Sequence, residues 1–164
     1  MEFNKNVSNP MLIGSMELLK AEPTPEHQNM FITEMVKAQF LVPVMLTPEP
    51  AKDENGKIKV LPGSKIQFPM LSTQDGKVFM MAFTDKMEYE KWKDAEGKNV
   101  CALSFDELAG MLLRKDPQGN MSPALGYVIN PFGANMVIPR EMIGGLMAAK
   151  LSKHGQPEPP TAEK

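Results

Sequence analysis

The chain has 164 residues, of which 42% are hydrophobic and 23% are charged, and its net charge is −2. These values are typical of one globular domain, and the lack of a basic face argues against binding to nucleic acid or to an anionic membrane. The single cysteine excludes an internal disulfide, and no apolar run approaches the ~20 residues of a membrane helix. Because the N-terminus also lacks the pattern of a secretory signal, the sequence predicts a soluble cytoplasmic protein.

The first forty residues predict two helices. Asn9 and Thr24 each stand before a proline, an arrangement typical of an N-cap followed by the first helical residue. Apolar residues recur at helical spacing after both signals. Since only a few residues join the two segments, we expect an antiparallel helical pair.

The next segments predict strands. Residues 40–46 (FLVPVML) form an apolar run that Pro43 interrupts. Because proline cannot donate a hydrogen bond to a neighbouring strand, we expect this strand at an edge or at a bulge. Residues 66–70 and 78–83 predict two further strands on either side of a tight turn at 74–77. The second of these is apolar on both faces, which predicts an interior position in a sheet.

Helices and short strands alternate in the second half. Asp85 and Ser104 are predicted N-caps with glutamate three residues on, Pro139 opens a last helix, and short strands are predicted at 100–103, 127–129 and 136–138. This order predicts parallel pairing beside antiparallel hairpins. We therefore expect an α/β fold with a single mixed sheet of about five or six strands, flanked by helices and preceded by the helical pair. The domain is predicted to cover residues 9–151, and residues 152–164 to form a disordered polar tail.

The sequence predicts no catalytic residues, no metal site and no cofactor. His27 and His154 are the only histidines, so the usual nitrogen and sulfur ligands of zinc are missing, and no glycine-rich phosphate-binding motif is present. Cys101 lies in an apolar strand, where a buried neutral thiol is expected. A nucleophilic Cys101–His27 pair would require the fold to bring these two distant residues together.

The loop at residues 130–135 (NPFGAN) is the best candidate for a binding site. Asn130 and Asn135 tolerate unusual backbone conformations, Gly133 allows a positive φ, and Phe132 can present apolar surface. The alternative interpretation is a hairpin turn whose asparagine side chains satisfy backbone groups. Both interpretations remain open from the sequence.

Several segments together resemble one known family. FLVPV, FPMLSTQDGKVFMMAFTDKMEYEKW, the helix start FDEL and VINPFGANMVIPREMI are similar to the N-terminal domain of the SseB family, whose name refers to enhanced serine sensitivity. The resemblance covers roughly residues 9–151. It implies a bacterial, cytoplasmic α/β domain with no established enzymatic reaction.

Three functional hypotheses follow. The first is a non-catalytic protein-interaction or regulatory module with an unknown protein partner, which predicts an exposed apolar patch near Phe132, Met136 or the methionine-rich strand faces.

The second is a small-molecule sensor, for instance of an amino acid, which requires a pocket where polar groups converge. Its predicted residues are Asn130, Asn135, Thr84 and Arg140, with Arg140 placed to bind a carboxylate. The third is an enzyme of unrecognised type, which requires acid–base groups clustered in one cleft. The sequence leaves the oligomeric state open.

Overall fold

The computed structural model of the protein describes residues 2–3, 6–47, 51–52, 54–55, 58–59, 62–93 and 99–155. Its helices are α1 (Pro10–Ala21), α2 (Pro25–Lys37), α3 (Lys86–Tyr89), α4 (Phe105–Leu113) and α5 (Arg140–Gly155). Its strands are β1 (Glu2–Phe3), β2 (Gln39–Thr47), β3 (Ala51–Lys52), β4 (Ile58–Lys59), β5 (Lys65–Gln67), β6 (Met70–Ser72), β7 (Val78–Ala82), β8 (Asn99–Ser104), β9 (Gly126–Ile129) and β10 (Met136–Pro139). In this part of the chain, no helix has the length and apolar character that crossing a bilayer requires.

The N-terminal helical pair is confirmed, and its two helices begin in different ways. The Thr24 side chain accepts a hydrogen bond from the His27 backbone N–H at 3.1 Å, as an N-cap does. Asn9 makes no such bond to α1. Instead its Nδ2 donates to the backbone oxygens of Gln39, at 2.7 Å, and Thr84, at 2.8 Å. The start of α1 is therefore tied to the start of β2 and to the residues that follow β7.

The α/β class is confirmed, but the prediction of a single sheet is wrong. The described strands form two four-stranded sheets, in the orders β1-β8-β2-β5 and β10-β9-β7-β6, and β3 pairs with β4 separately. The first sheet is antiparallel throughout. The second is mixed, because β7 and β9 run parallel while β6 and β10 run antiparallel to their neighbours. As predicted, β7 lies in the interior of its sheet.

The two sheets meet at a fork. Leu41 of β2 and Phe83, just after β7, exchange two backbone hydrogen bonds of 2.8 Å. Beyond this bridge β2 pairs with β5, whereas β7 pairs with β6. The single strand predicted around residues 66–70 is in fact two strands, interrupted at Phe68 and Pro69. Because of this interruption, the segment can pair with β2 through β5 on one side of the fork and with β7 through β6 on the other.

Pro43 lies at this fork and not at a sheet edge. Its strand β2 has β8 on one side and β5 on the other, so the predicted edge position is wrong. In antiparallel pairing, alternate residues bond to the same neighbouring strand. Pro43 therefore faces the same side as Leu41, which bonds to Phe83, and Met45, which pairs with Gln67 of β5. On this side of β2, Pro43 lies between the bridge to Phe83 and the first residue that pairs with β5, so among the described residues no neighbouring strand accepts a hydrogen bond at this position. The missing N–H of proline is therefore tolerated.

Apolar residues are buried on both faces of the central strands. The larger core cluster contains Phe40, Met80 and Leu103, together with residues of α1, α2, α4 and α5. The alternate residues Leu41, Met81 and Ala102 belong to a second cluster that includes Phe83 and Trp92. Helix α5 extends to Gly155, so the prediction that residues 152–155 belong to a disordered tail is wrong. Residues 156–164 lie outside the described residues.

Candidate functional site

The turn at residues 130–135 is held by its own backbone. Asn130 and Asn135 have left-handed φ values of 51° and 53°. The Asn130 backbone oxygen accepts hydrogen bonds from the backbone N–H groups of Gly133, at 2.9 Å, and Asn135, at 2.8 Å. Gly133 does not have a positive φ, so the predicted reason for this glycine is wrong. The two asparagines supply the left-handed conformations on which the turn depends.

Asn130 and Thr84 form a buried polar pair. The Asn130 Oδ1 accepts from the Thr84 N–H at 2.9 Å, and its Nδ2 donates to the Thr84 Oγ1 at 3.0 Å. Both residues are almost fully buried. Their polar atoms are therefore used inside the fold, where they fasten the turn to the end of β7.

Gly133 lies directly against helix α3. A methyl group on this residue would collide with the Glu88 Oε1 and would lie 3.3 Å from the Lys91 Nζ. Glu88 and Lys91 form an ion pair of 2.7 Å, and the Glu88 Oε1 is buried without a hydrogen-bond partner. The glycine thus provides space for the close approach of α3 to the turn.

Phe132 presents apolar surface, as predicted. Its side chain is 42% exposed, and its ring stacks on the buried ring of Phe83 with a centroid distance of 6.5 Å. Phe83 also contacts Tyr89 edge to face at 5.3 Å. Met136, the other predicted apolar residue near this turn, is half-buried.

Arg140 lies at the opposite end of the β9–β10 hairpin from the turn. Met136 pairs with Ile129 beside the turn, whereas Pro139 pairs with Gly126 at the far end, next to Arg140. The Arg140 guanidinium donates to the backbone oxygens of Ser122 and Ala124. The structure therefore does not bring Arg140 together with Asn130, Asn135 and Thr84, and the carboxylate-binding pocket predicted from these four residues does not form.

A cleft of about 630 Å³ opens between α1, α3 and the turn. Ile13 and Met16 of α1 and Gly133 and Ala134 of the turn supply its apolar surface. Its charged residues are Glu17 and Lys20 of α1, Glu88 of α3, and Lys91, which lies two residues after the end of α3. We call it the charged cleft. The turn residues of this cleft were predicted from the sequence, but its four charged residues were not, because each resembles an ordinary solvent-facing position.

A groove of about 400 Å³ lies on another surface, and we call it the methionine groove. Apolar residues from β6, β7, α4 and the loops beside them line it: Phe68, Met70, Met80, Met111 and Met121. Met70 and Met121 are 37% and 38% exposed, whereas Met80 is buried. Arg114 and Lys115 line one part of it and are both exposed. The patch predicted on the methionine-rich strand faces thus exists at Met70, but not at Met80.

The loop between α4 and β9 forms one wall of the methionine groove. The Asp116 Oδ1 accepts from the N–H groups of Gln118, at 2.9 Å, and Asn120, at 2.8 Å. Gly119 has a φ of 85°, which allows the tight return of the chain. Arg140 then holds the carbonyl groups at the end of this loop. Arg140 therefore contributes to the groove as a structural support.

Cys101 and His27 have different partners. Cys101 is fully buried, its Sγ lies 3.6 Å from the Val42 backbone oxygen, and burial raises the pKa of its thiol to about 12. The His27 Nδ1 lies 2.7 Å from the Glu22 backbone oxygen. Among the residues that the structure describes, no group of three or more histidine, cysteine or acidic side chains is arranged to hold a metal ion.

Comparison with models of protein families matches residues 14–144 to the family described as SseB protein N-terminal domain. This match confirms the resemblance seen in the sequence. Searches of curated proteins and of solved structures gave no match.

Proposed function

The chain belongs to the family of SseB N-terminal domains, and from this premise we propose that it is a non-catalytic, cytoplasmic protein-interaction module that binds a partner segment in the methionine groove. The observation that carries the proposal is the cluster of four methionines and one phenylalanine around an open groove. Methionine side chains are unbranched and polarisable, so they adapt to partner side chains of different shapes. Surface of this kind is typical of recognition grooves.

The wall of the groove favours binding because it is ordered in the free protein. The Asp116 side chain accepts two backbone N–H groups, and Arg140 holds two backbone oxygens at the other end of the loop. A wall that is already fixed loses little conformational entropy when a partner binds. Met121 is carried on this wall and is therefore presented in a defined position.

The charge beside the groove points to the chemistry of the partner. Arg114 and Lys115 are exposed cations, in a chain whose net charge is −2. The neighbouring Asp116 carboxylate already accepts backbone hydrogen bonds within its own loop. The partner segment therefore carries large apolar anchor side chains next to acidic residues, which complement the two cations.

The non-catalytic and cytoplasmic parts of the proposal are supported by Cys101. A thiol with a pKa of about 12 is neutral at physiological pH and is a poor nucleophile. A single buried cysteine also suits a reducing compartment.

The proposal is tested by selecting peptides from a displayed random library on the immobilised chain. We expect enriched peptides with two or more large apolar residues next to aspartate or glutamate. The affinity of a synthetic enriched peptide is expected to fall at least tenfold in the double variant Met70→Gln/Met121→Gln, because two apolar contacts are lost from the groove.

The matched control is Met11→Gln/Met87→Gln, which changes two exposed methionines outside the groove and is expected to leave the affinity unchanged. Failure to enrich any peptide, or equal affinity for the groove variant and the wild type, would contradict the proposal. Enriched peptides with basic flanks, unaffected by Arg114→Gln/Lys115→Gln, would contradict the assigned partner chemistry.

A further inference from the structure

We infer that the partner segment binds as an extended β-strand along the outer edge of β6 and places every second side chain in the methionine groove. This inference rests on the proposed function and specifies the conformation of the partner. In the strand order β10-β9-β7-β6, β6 is the last strand, and within the described residues no strand pairs with its other side. A strand with such an unpaired edge can accept a further strand from another chain.

The hydrogen bonds of the β6–β7 hairpin show which backbone groups of β6 point outward. The Thr73 N–H donates to the Lys77 backbone oxygen at 2.8 Å, so these two residues form a hydrogen-bonded pair. Because bonded and non-bonded pairs alternate in an antiparallel ladder, the next residue of β6 that bonds to β7 is Leu71. Met70 and Ser72 therefore direct their N–H and C=O groups away from β7.

The other side of β7 supports this assignment. Val78 lies opposite Ser72 in the β6–β7 pairing. Its backbone oxygen accepts a hydrogen bond of 2.9 Å from Leu125, which directly precedes β9, so it points away from β6. The Val78–Ser72 pair is thus a non-bonded one, as the alternation requires. Met70 and Ser72 are both exposed, so a partner can reach their outward backbone groups.

The edge of β6 adjoins the methionine groove. Met70 pairs with Met80 across the β6–β7 ladder, and both residues line the groove. Residues that lie opposite each other on neighbouring strands have their side chains on the same face of the sheet. A partner residue opposite Met70 therefore points into the groove, and so do the residues two positions before and after it.

The strand conformation predicts a spacing in the partner sequence. Large apolar residues should recur at every second position, and the acidic residues that complement Arg114 and Lys115 should adjoin this alternating run. A helical partner would instead place its apolar anchors three or four residues apart. The peptides selected on the immobilised chain therefore distinguish the two conformations by their sequences.

The decisive test is an N-methyl scan of one selected peptide, titrated into the full chain by calorimetry. An N-methyl group removes one backbone donor and leaves the side chain unchanged. Because alternate amides of an added strand face β6, we expect N-methylation at every second position to weaken binding at least tenfold. N-methylation at the intervening positions, which face solvent, is the matched control and is expected to change the affinity less than twofold.

Amide hydrogen exchange of the protein gives a second measurement. When the peptide is bound, exchange at Met70 and Ser72 should slow at least tenfold more than exchange at Leu71, whose amide already bonds to β7. A peptide that requires Met70 and Met121 but shows no period of two in the N-methyl scan, or no added protection of Met70 and Ser72, would overturn the strand conformation alone. Failure to select any peptide would overturn the proposed function as well.

Discussion

The two ends of the β9–β10 hairpin use polar residues in different ways. At the turn, Asn130 and Thr84 satisfy each other inside the fold. At the other end, Arg140 reaches back to the loop before β9 and fixes the wall of the methionine groove. The polar residues that make these segments conspicuous in the sequence thus build the fold. The methionine groove and the charged cleft are instead lined by less conspicuous residues: Met70, Met121, Glu17, Lys20, Glu88 and Lys91.

The largest effect is expected at the turn. Asn130→Ala should destabilise the protein by about 2–4 kcal/mol, because alanine tolerates the left-handed conformation poorly and the buried Thr84 N–H loses its acceptor. Urea unfolding measures this change. Asn135→Ala removes only the conformational preference of an exposed residue and should cost about 1 kcal/mol. Equal costs for the two variants would show that the Asn130–Thr84 pair contributes little.

The next prediction concerns the contribution of Arg140 to stability at the other end of the hairpin. Arg140→Ala should destabilise the protein by about 1–3 kcal/mol, because the Ser122 and Ala124 carbonyl groups lose a charged donor. It should also weaken binding of groove-selected peptides, since the wall that carries Met121 is released. Arg114→Ala, at an exposed position, should change the free energy of unfolding by less than about 0.5 kcal/mol. If Arg140→Ala binds the peptide as tightly as the wild type does, Arg140 does not support the wall of the methionine groove.

The buried Cys101 lies in the other sheet, away from the hairpin, and should make the stability of the protein depend on pH. Burial raises its pKa from 9.0 to about 12, so above pH 9 the unfolded chain loses a proton that the folded protein keeps. Stability is therefore lost as the pH rises through this window. Between pH 9.5 and 10.5 the wild type should lose about 1 kcal/mol more than Cys101→Ala, as measured by urea unfolding. Parallel pH profiles for the two proteins would contradict the assigned thiol pKa.

The smallest effect is expected where the turn contacts α3. Gly133→Ala should displace the Glu88 side chain, because the new methyl group takes the space of its Oε1. Since this side chain is flexible and its ion pair with Lys91 is partly exposed, the cost should be below about 1 kcal/mol. In a Glu88→Ala background, Gly133→Ala should have no further cost. A double-mutant cycle measures this coupling, and purely additive costs would contradict the contact.

Local signals in the sequence were sufficient for the helices and for several strands. The Ser104–Glu107 capping box was predicted from four residues, and both of its hydrogen bonds form, at 2.9 and 3.2 Å. The two-sided burial of β7 followed from its unbroken apolar pattern. Such features depend on residues that are adjacent in the chain, so periodicity and capping preferences determine them.

The fork, the methionine groove and the charged cleft depend on contacts between distant residues. Pro43 indicated an interruption in pairing, but the sequence alone did not show that β2 changes partners there. The methionine groove brings Phe68, Met111 and Met121 together from separate elements. The guanidinium of Arg140 could equally have bound a ligand carboxylate, and only the fold determines that it binds two backbone oxygens instead.

The most direct test of the account is to titrate one groove-selected peptide into three proteins and compare the affinities by calorimetry. These are the wild type, the groove variant Met70→Gln/Met121→Gln and the cleft variant Glu17→Gln/Lys20→Gln. If the peptide binds in the methionine groove, its affinity should be at least tenfold weaker for the groove variant and unchanged for the cleft variant. A peptide that binds the groove variant as well as the wild type, or that requires the charges of the cleft, would contradict the account.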